Sequence, residues 1–154
     1  MKYILVIGEN GQLARALSRR LGAWASTHTT LGLDDINLEL DPCSAVKFLE
    51  DTSISGVINT TGFTNVDGAE TLQKSAYNLN AEAPRVMAEA CAERGLPFIH
   101  ISSDYVFGGN KREPYKPYDI RSPINVYGKS KALGEDSVMA AGGQSLVLRT
   151  SWLY

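Results

Sequence analysis

The sequence predicts an α/β fold in which a doubly wound parallel sheet carries helices on both faces. Three observations carry that expectation. Short apolar, β-branched runs end repeatedly at Gly, Asn, Asp or Pro, helix-like stretches separate most of them, and 154 residues at 44% hydrophobic are the size of one ordinary domain. A chain of this length buries roughly 70% of its unfolded surface and needs no disulfide or metal staple.

The first strand is expected at residues 3–7, where Tyr-Ile-Leu-Val-Ile stops at Gly8. That run is too short for a signal-peptide core or a membrane span, and no other apolar run approaches a bilayer's thickness. A cytoplasmic protein without a membrane partner is therefore expected. Helices are expected at residues 12–21, 44–50, 72–94 and 126–141, and further strands at 56–59, 97–102 and 145–148. Two thinner strand signals lie at 25–30 and 37–40. Pro84 either divides the third helix or sits in the first turn of one starting near Ala83, where its missing N–H costs nothing. Residues 108–125 form a long non-periodic stretch rich in Gly, Pro and charge, as functional loops often are. The balance of 15 Lys plus Arg against 17 Asp plus Glu argues against a nucleic-acid partner. Cys43 and Cys91, far apart and outside any C-x-x-C pattern, are expected as buried thiols of a reducing compartment. No cluster of metal ligands stands out, and no metal site is expected.

After the first strand, Gly8-Glu9-Asn10-Gly11-Gln12-Leu13-Ala14 forms a G-x-x-G-x-x-A pattern that opens a helix. Glycine permits positive φ and lets backbone N–H groups approach a pyrophosphate at the helix N-terminus, while a small third residue allows close helix–strand packing. The plain alternative is a strand-to-helix turn. A Rossmann-type dinucleotide site normally places a carboxylate about 20 residues further on, at the end of the second strand, to bind the adenosine ribose. Here Thr27-His28-Thr29-Thr30-Leu31-Gly32 contains none. That absence tilts the expectation toward NADP(H) over NAD(H), unless the strand runs on to Asp34.

Tyr127 and Lys131 stand four residues apart, on one face of a helix. A cation beside a phenol favours the phenolate and lowers its pKa, making it a usable proton donor to a carbonyl oxygen. Such pairs also occur by chance on solvated helices. Upstream, Ser102 and Ser103 end a strand in the position where open α/β sheets bind ligands, and a hydroxyl there can donate to the same oxygen. The competing reading is a hydroxyl turn that merely ends the strand.

The strings GENGQL at residues 8–13, VINTTGFTNVD at 57–67, ISSDYVFGG at 101–109, PINVYGKSKALGE at 123–135 and LRTSWLY at 148–154 together resemble the extended short-chain dehydrogenase/reductases. Within them the resemblance is to the dTDP-4-dehydrorhamnose reductase family. It implies reduction of the C4 ketone of a nucleotide sugar, dTDP-4-dehydro-L-rhamnose, by NAD(P)H in dTDP-rhamnose biosynthesis. By the same resemblance Tyr127 is the proton donor, Lys131 its ribose-binding partner, and Ser103 the third member of the set. Gly11, Gln12 and Leu13 would lie under the pyrophosphate, Gly62, Phe63 and Thr64 along the cofactor, and Ser103, Asp104 and Trp152 against the sugar nucleotide. Asn80 falls where relatives place a structural or relay asparagine. The chain departs from the pattern at Ala14, at Thr60-Thr61-Gly62 in place of an alanine run, and at Pro117, where an acid is common.

The family continues well past the Trp-Leu-Tyr string with a substrate-binding portion. Residues 1–154 are therefore expected to be one nucleotide-binding domain, the N-terminal portion of a reductase with weak or no turnover alone. Two alternatives stand beside it: a non-catalytic NADP-binding regulatory subunit resembling that of methionine adenosyltransferase, and another extended-family nucleotide-sugar enzyme such as an epimerase or dehydratase. The helices at 72–94 and 126–141 also resemble the pair through which many relatives form a homodimer.

Overall fold

A computed structural model of the protein describes residues 2–23 and 28–152. In chain order the elements are β1 (Tyr3–Ile7), α1 (Gln12–Ala23), β2 (His28–Leu31), α2 (Val46–Leu49), β3 (Ile54–Asn59), α3 (Val66–Thr71), α4 (Gln73–Tyr77), a π-helical turn (Asn78–Glu82), α5 (Ala83–Glu93), β4 (Phe98–Ser103), a 3-10 turn (Asp104–Val106), α6 (Val126–Ala140) and β5 (Ser145–Thr150). The five strands form one sheet in the order β2-β1-β3-β4-β5. Every neighbouring pair is parallel. From β1 the chain goes to one side for β2 and returns to the other for β3, so the sheet reverses direction between β1 and β3. Ile7 stands level with Leu31 on one side and Asn59 on the other. The crevice above such a reversal is where open parallel sheets bind ligands.

Side chains alternate across each strand. Leu5, Ile7, Val57 and Phe98 enter a core completed by Leu49 of α2, Ala83, Met87 and Cys91 of α5, and Val138 of α6. α1 packs on β1 and β2, with Ala14 fully buried. The two faces are unequally covered. Opposite the Phe98–His100 face, Ile99 pairs with Leu146 and Ile101 with Leu148, and the two leucines are 50% and 43% exposed.

The expected strands at 3–7, 56–59, 97–102 and 145–148 are present, each within a residue or two of its expected ends. Of the expected strand at 25–30, residues 28–30 belong to β2, and 25–27 lie outside the described residues. Residues 37–40 are a turn, not a strand. The Asn37 side chain accepts from the Leu40 N–H at 3.2 Å, and the Asn37 carbonyl from Asp41 at 2.9 Å. Ile36 and Leu38, whose alternation imitated a strand, are two buried pegs of that turn. The expected helix at 44–50 is the shorter α2. The expected helix at 72–94 is a succession of α4, the π-helical turn and α5, with Pro84 in the first turn of α5. No strand or helix falls between Phe107 and Val126. Cys91 is buried, as expected, whereas Cys43 is exposed on the turn before α2. Among the described residues, no helix is long and apolar enough to cross a membrane.

Candidate active site

The Gly-rich turn is built against two strand ends. Gly8 has φ +113°, and a Cβ there would stand 2.5 Å from Thr60 Oγ1, so both backbone and space require glycine. The Gly8 N–H donates to the Leu31 carbonyl at 2.9 Å, and Thr60 Oγ1 donates to the Ile7 carbonyl at 2.8 Å. At Gly11 a Cβ would meet only the Gly8 carbonyl, at 3.8 Å. No protein neighbour excludes a side chain there, so the room above Gly11 is left for something else. α1 begins at Gln12, and the N–H groups of its first turn have no partner within the helix.

Above the reversal lies a cleft of about 400 Å³. Of the expected cofactor-binding residues, Gly8, Gly11, Gly62 and Thr64 line it; Gln12, Leu13, Phe63, Tyr127 and Lys131 do not. Phe63 packs instead on a small core with Ala69, Ala76, Val126 and Tyr127. Ile36, Leu38 and Leu79 give the cleft an apolar side, and Glu9, Asn10 and Gly32 a polar one. The glycines at its rim let a ligand approach the backbone closely.

Buried side chains fix the wall after β3. Asn59 Oδ1 accepts from the Thr61 N–H and hydroxyl at 3.0 and 2.6 Å, while Asn59 Nδ2 lies 3.2 Å from His100 Nδ1. Burial, aided by the nearby Lys131, lowers the His100 pKa to about 3. It is therefore neutral, with Nδ1 accepting from the Asn59 amide. Asn80, on the π-helical turn, holds Phe63 by both backbone groups: Oδ1 accepts from the N–H at 2.9 Å and Nδ2 donates to the carbonyl at 3.2 Å. Nδ2 also reaches Ser130 Oγ at 3.0 Å, and that hydroxyl donates to the Tyr127 carbonyl at 2.7 Å. One asparagine thus joins the cleft wall to α6. Composition gives no signal for Asn59 or His100; their place became evident only when β3 and β4 paired.

Tyr127 and Lys131 both lie on α6 and are both buried. Asn125 caps the helix by accepting from the Gly128 N–H at 2.7 Å, and Gly128 has no room for a Cβ beneath the Tyr105 carbonyl. Lys131 Nζ donates to the Ile101 carbonyl at 3.2 Å and would stand 2.8 Å from a Cβ at Gly62, so the buried ammonium packs directly behind a glycine of the cleft wall. Burial lowers the Lys131 pKa to about 8, against the pull of Glu135. Tyr127 departs from expectation. Its pKa is raised, first by burial and then by Asp104 and Tyr105; Ser103 pulls it down, and Lys131 is not among the causes. The Tyr105 ring meets the Tyr127 ring edge to face at 5.4 Å.

Ser103 ends β4 and starts the 3-10 turn. Its Oγ accepts from the Tyr105 N–H at 3.2 Å and donates to Asp104 Oδ1 at 3.1 Å, so the hydroxyl-turn reading describes its backbone role. Behind it, Ser102 Oγ donates to the buried Glu135 at 2.6 Å. Glu135 also accepts from Arg149 Nε at 2.8 Å and Nη2 at 2.6 Å, and from Arg121 at 3.1 Å, tying β4, β5, α6 and the 108–125 segment together. The exposed Asp104 opens onto a groove of about 960 Å³ that follows β5 through Arg149, Thr150 and Ser151. Trp152 lies beyond β5, 75% exposed and at φ 47°, and does not line that groove.

Comparison with known proteins agrees with this architecture. A dTDP-4-dehydrorhamnose reductase from Mycobacterium tuberculosis is 37% identical over 156 residues, covering 98% of this chain and 50% of that protein. The crystal structure of a dTDP-4-dehydrorhamnose reductase from Clostridium acetobutylicum superposes with a TM-score of 0.92 at 34% identity, covering 100% of this chain and 54% of the other. That of Bacillus anthracis, in complex with NADP, gives 0.91 at 31% identity, covering 100% and 55%. The chain spans about half the length of the curated relatives it matches. The family described as the RmlD substrate binding domain matches residues 1–154, and the chain belongs to that family.

Proposed function

We propose that residues 1–154 are the nucleotide-binding domain, with the Ser/Tyr/Lys set, of an NAD(P)H-dependent reductase that converts dTDP-4-dehydro-L-rhamnose to dTDP-L-rhamnose. The observation that carries this reading is the meeting of three things at one end of the sheet: a cleft lined by Gly8, Gly11 and Gly62, the buried Lys131 packed behind Gly62, and Tyr127 beside Ser103. The relatives named for this reaction support the choice of substrate.

When bound, the nicotinamide supplies hydride to the ketone carbon. Gly8, Gly11 and the first-turn N–H groups of α1 would hold the pyrophosphate, and Gly62 and Thr64 would line the rest of the cofactor. Tyr127 stays protonated through neutral pH because burial raises its pKa, so its hydroxyl has a proton to give to the carbonyl oxygen. Ser103 Oγ turns from Asp104 to donate to the same oxygen and stabilises its developing charge. Lys131 would hold the ribose hydroxyls. Asp104, which opens onto the groove along β5, would face the sugar nucleotide.

The test is Tyr127→Phe in the complete reductase. The variant should lose nearly all turnover of the 4-keto sugar while NAD(P)H titration gives an unchanged Kd; equal kcat in the two proteins overturns the assignment.

A further inference from the structure

The dinucleotide reading lacks one part: no carboxylate stands at the end of β2, where Gly32 follows Leu31. The structure supplies it from another segment. The Glu9 side chain, from the Gly-rich turn, lies over Gly32. A Cβ built on Gly32 would overlap Glu9 Oε2 and stand 3.2 Å from Glu9 Cβ. The Glu9 carboxylate thus fills the volume that a side chain at position 32 would take. The turn is fixed there, because the N–H groups of Gly8 and Glu9 both donate to the Leu31 carbonyl, at 2.9 and 3.3 Å. Asp34 and Asp35 do not substitute. Neither lines the cleft, and Asp35 is engaged in accepting from the Gly32 N–H at 2.9 Å.

We propose that Glu9 is the ribose-reading acid of this protein: its carboxylate accepts from the adenosine ribose diol, repels a 2′-phosphate, and makes the site prefer NAD(H) to NADP(H). The proposal rests on the reading of the cleft as a dinucleotide site, and it reverses the NADP(H) expectation drawn from residues 27–32. Its physical basis is that a carboxylate binds two vicinal hydroxyls well and a phosphate dianion badly. Glu9 and Asn10 also line a second groove, of about 530 Å³, with Arg15, Ser18, Arg19, His28 and Thr30. Glu9 therefore stands between the cleft and a basic surface. Without its charge, a 2′-phosphate would meet the two arginines unopposed.

The test is a titration of the protein with NADH and with NADPH, followed by cofactor fluorescence, at one fixed ionic strength. The wild type should bind NADH more tightly by about tenfold or more, and Glu9→Gln should shrink or invert that ratio by a similar factor. The paired change Glu9→Ala with Gly32→Asp, which moves the carboxylate onto β2, should restore the preference; Gly32 does not have the positive φ that would bar a side chain. Asp34→Asn, at an exposed acid that does not line the cleft, should leave the ratio unaltered. Tighter NADPH binding by the wild type, or a ratio indifferent to Glu9→Gln, overturns the proposal while leaving the dinucleotide site intact. Failure of both cofactors to bind the wild type overturns the dinucleotide reading, and this proposal with it. Glu9 is an exposed turn residue, so its variants keep the fold.

Discussion

Lys131 is an ammonium held in the interior, and its altered proton affinity has a measurable sign. Its folded pKa of about 8 lies below the ordinary 10.5, so between these values the unfolded chain binds more protons and stability rises with pH. Below pH 8 the charged group opposes folding. Lys131→Met should therefore be the more stable protein at pH 7, by a few kcal/mol in urea unfolding, with its advantage vanishing as pH passes from about 8 to above 10.5. A constant difference across that window would contradict the assignment. His100 works at the acid end. Held neutral with a pKa of about 3 against an ordinary 6.5, it makes the fold lose stability as pH falls from 6.5 toward 3, and His100→Leu should flatten that limb. The spacing of Tyr127 and Lys131 was legible in the chain, and so was the strand-end position of Ser103. Their electrostatics were not, because burial is a property of the packed molecule: the lysine expected to lower the Tyr127 pKa is absent from its causes, and desolvation raises it. Glu9 occupies an unspecified position of the G-x-x-G pattern, and nothing local in the sequence says that its side chain reaches across to Gly32.

At the scale of elements, the contact between α6 and the π-helical turn decides how the site is held. Gly134 lies where α6 crosses the backbone of Asn80, and a Cβ there would overlap the Asn80 carbonyl. Helix propensity alone would favour Gly134→Ala by ~1 kcal/mol, but the overlap is with backbone that cannot step aside, and such overpacking costs about 1–3 kcal/mol or more. The clash should win: the substitution is expected to lower the urea midpoint and, by displacing Asn80, to weaken NAD(P)H binding. A stabilised variant would show that the turn yields. Where period and punctuation agreed, as in β1, α1, β4 and α6, the elements were readable from the sequence. α3 was missed because Val66–Thr71 is too short and polar to show a helical stripe. The π-helical turn was missed because its extra residue has no local sequence cause; it serves to bring Asn80 to Phe63 and Ser130.

Across the whole molecule, Glu135 joins segments that are distant in the chain, a buried carboxylate that accepts from two arginines through three contacts. Removing its charge with Glu135→Gln takes away the carboxylate that Arg149 pairs with, while Arg121 keeps Asp136. Because both arginines are about a quarter exposed, the expected loss lies toward the lower end of the range for a broken buried pair, about 3 kcal/mol by urea unfolding. A loss below ~1 kcal/mol would show that solvent already screens the network. The parallel sheet followed from the alternation of strands and helices, but its order did not, since strand neighbours are chosen by packing rather than by sequence proximity. That order also governs how the protein must be made. β1 leaves the ribosome before the other four strands, yet the partner it needs on its inner side is β3, so Tyr-Ile-Leu-Val-Ile lacks that partner until translation has passed Asn59. At roughly 5–20 residues per second this is an exposure of some seconds, long enough for a nascent-chain chaperone to take hold of an apolar edge.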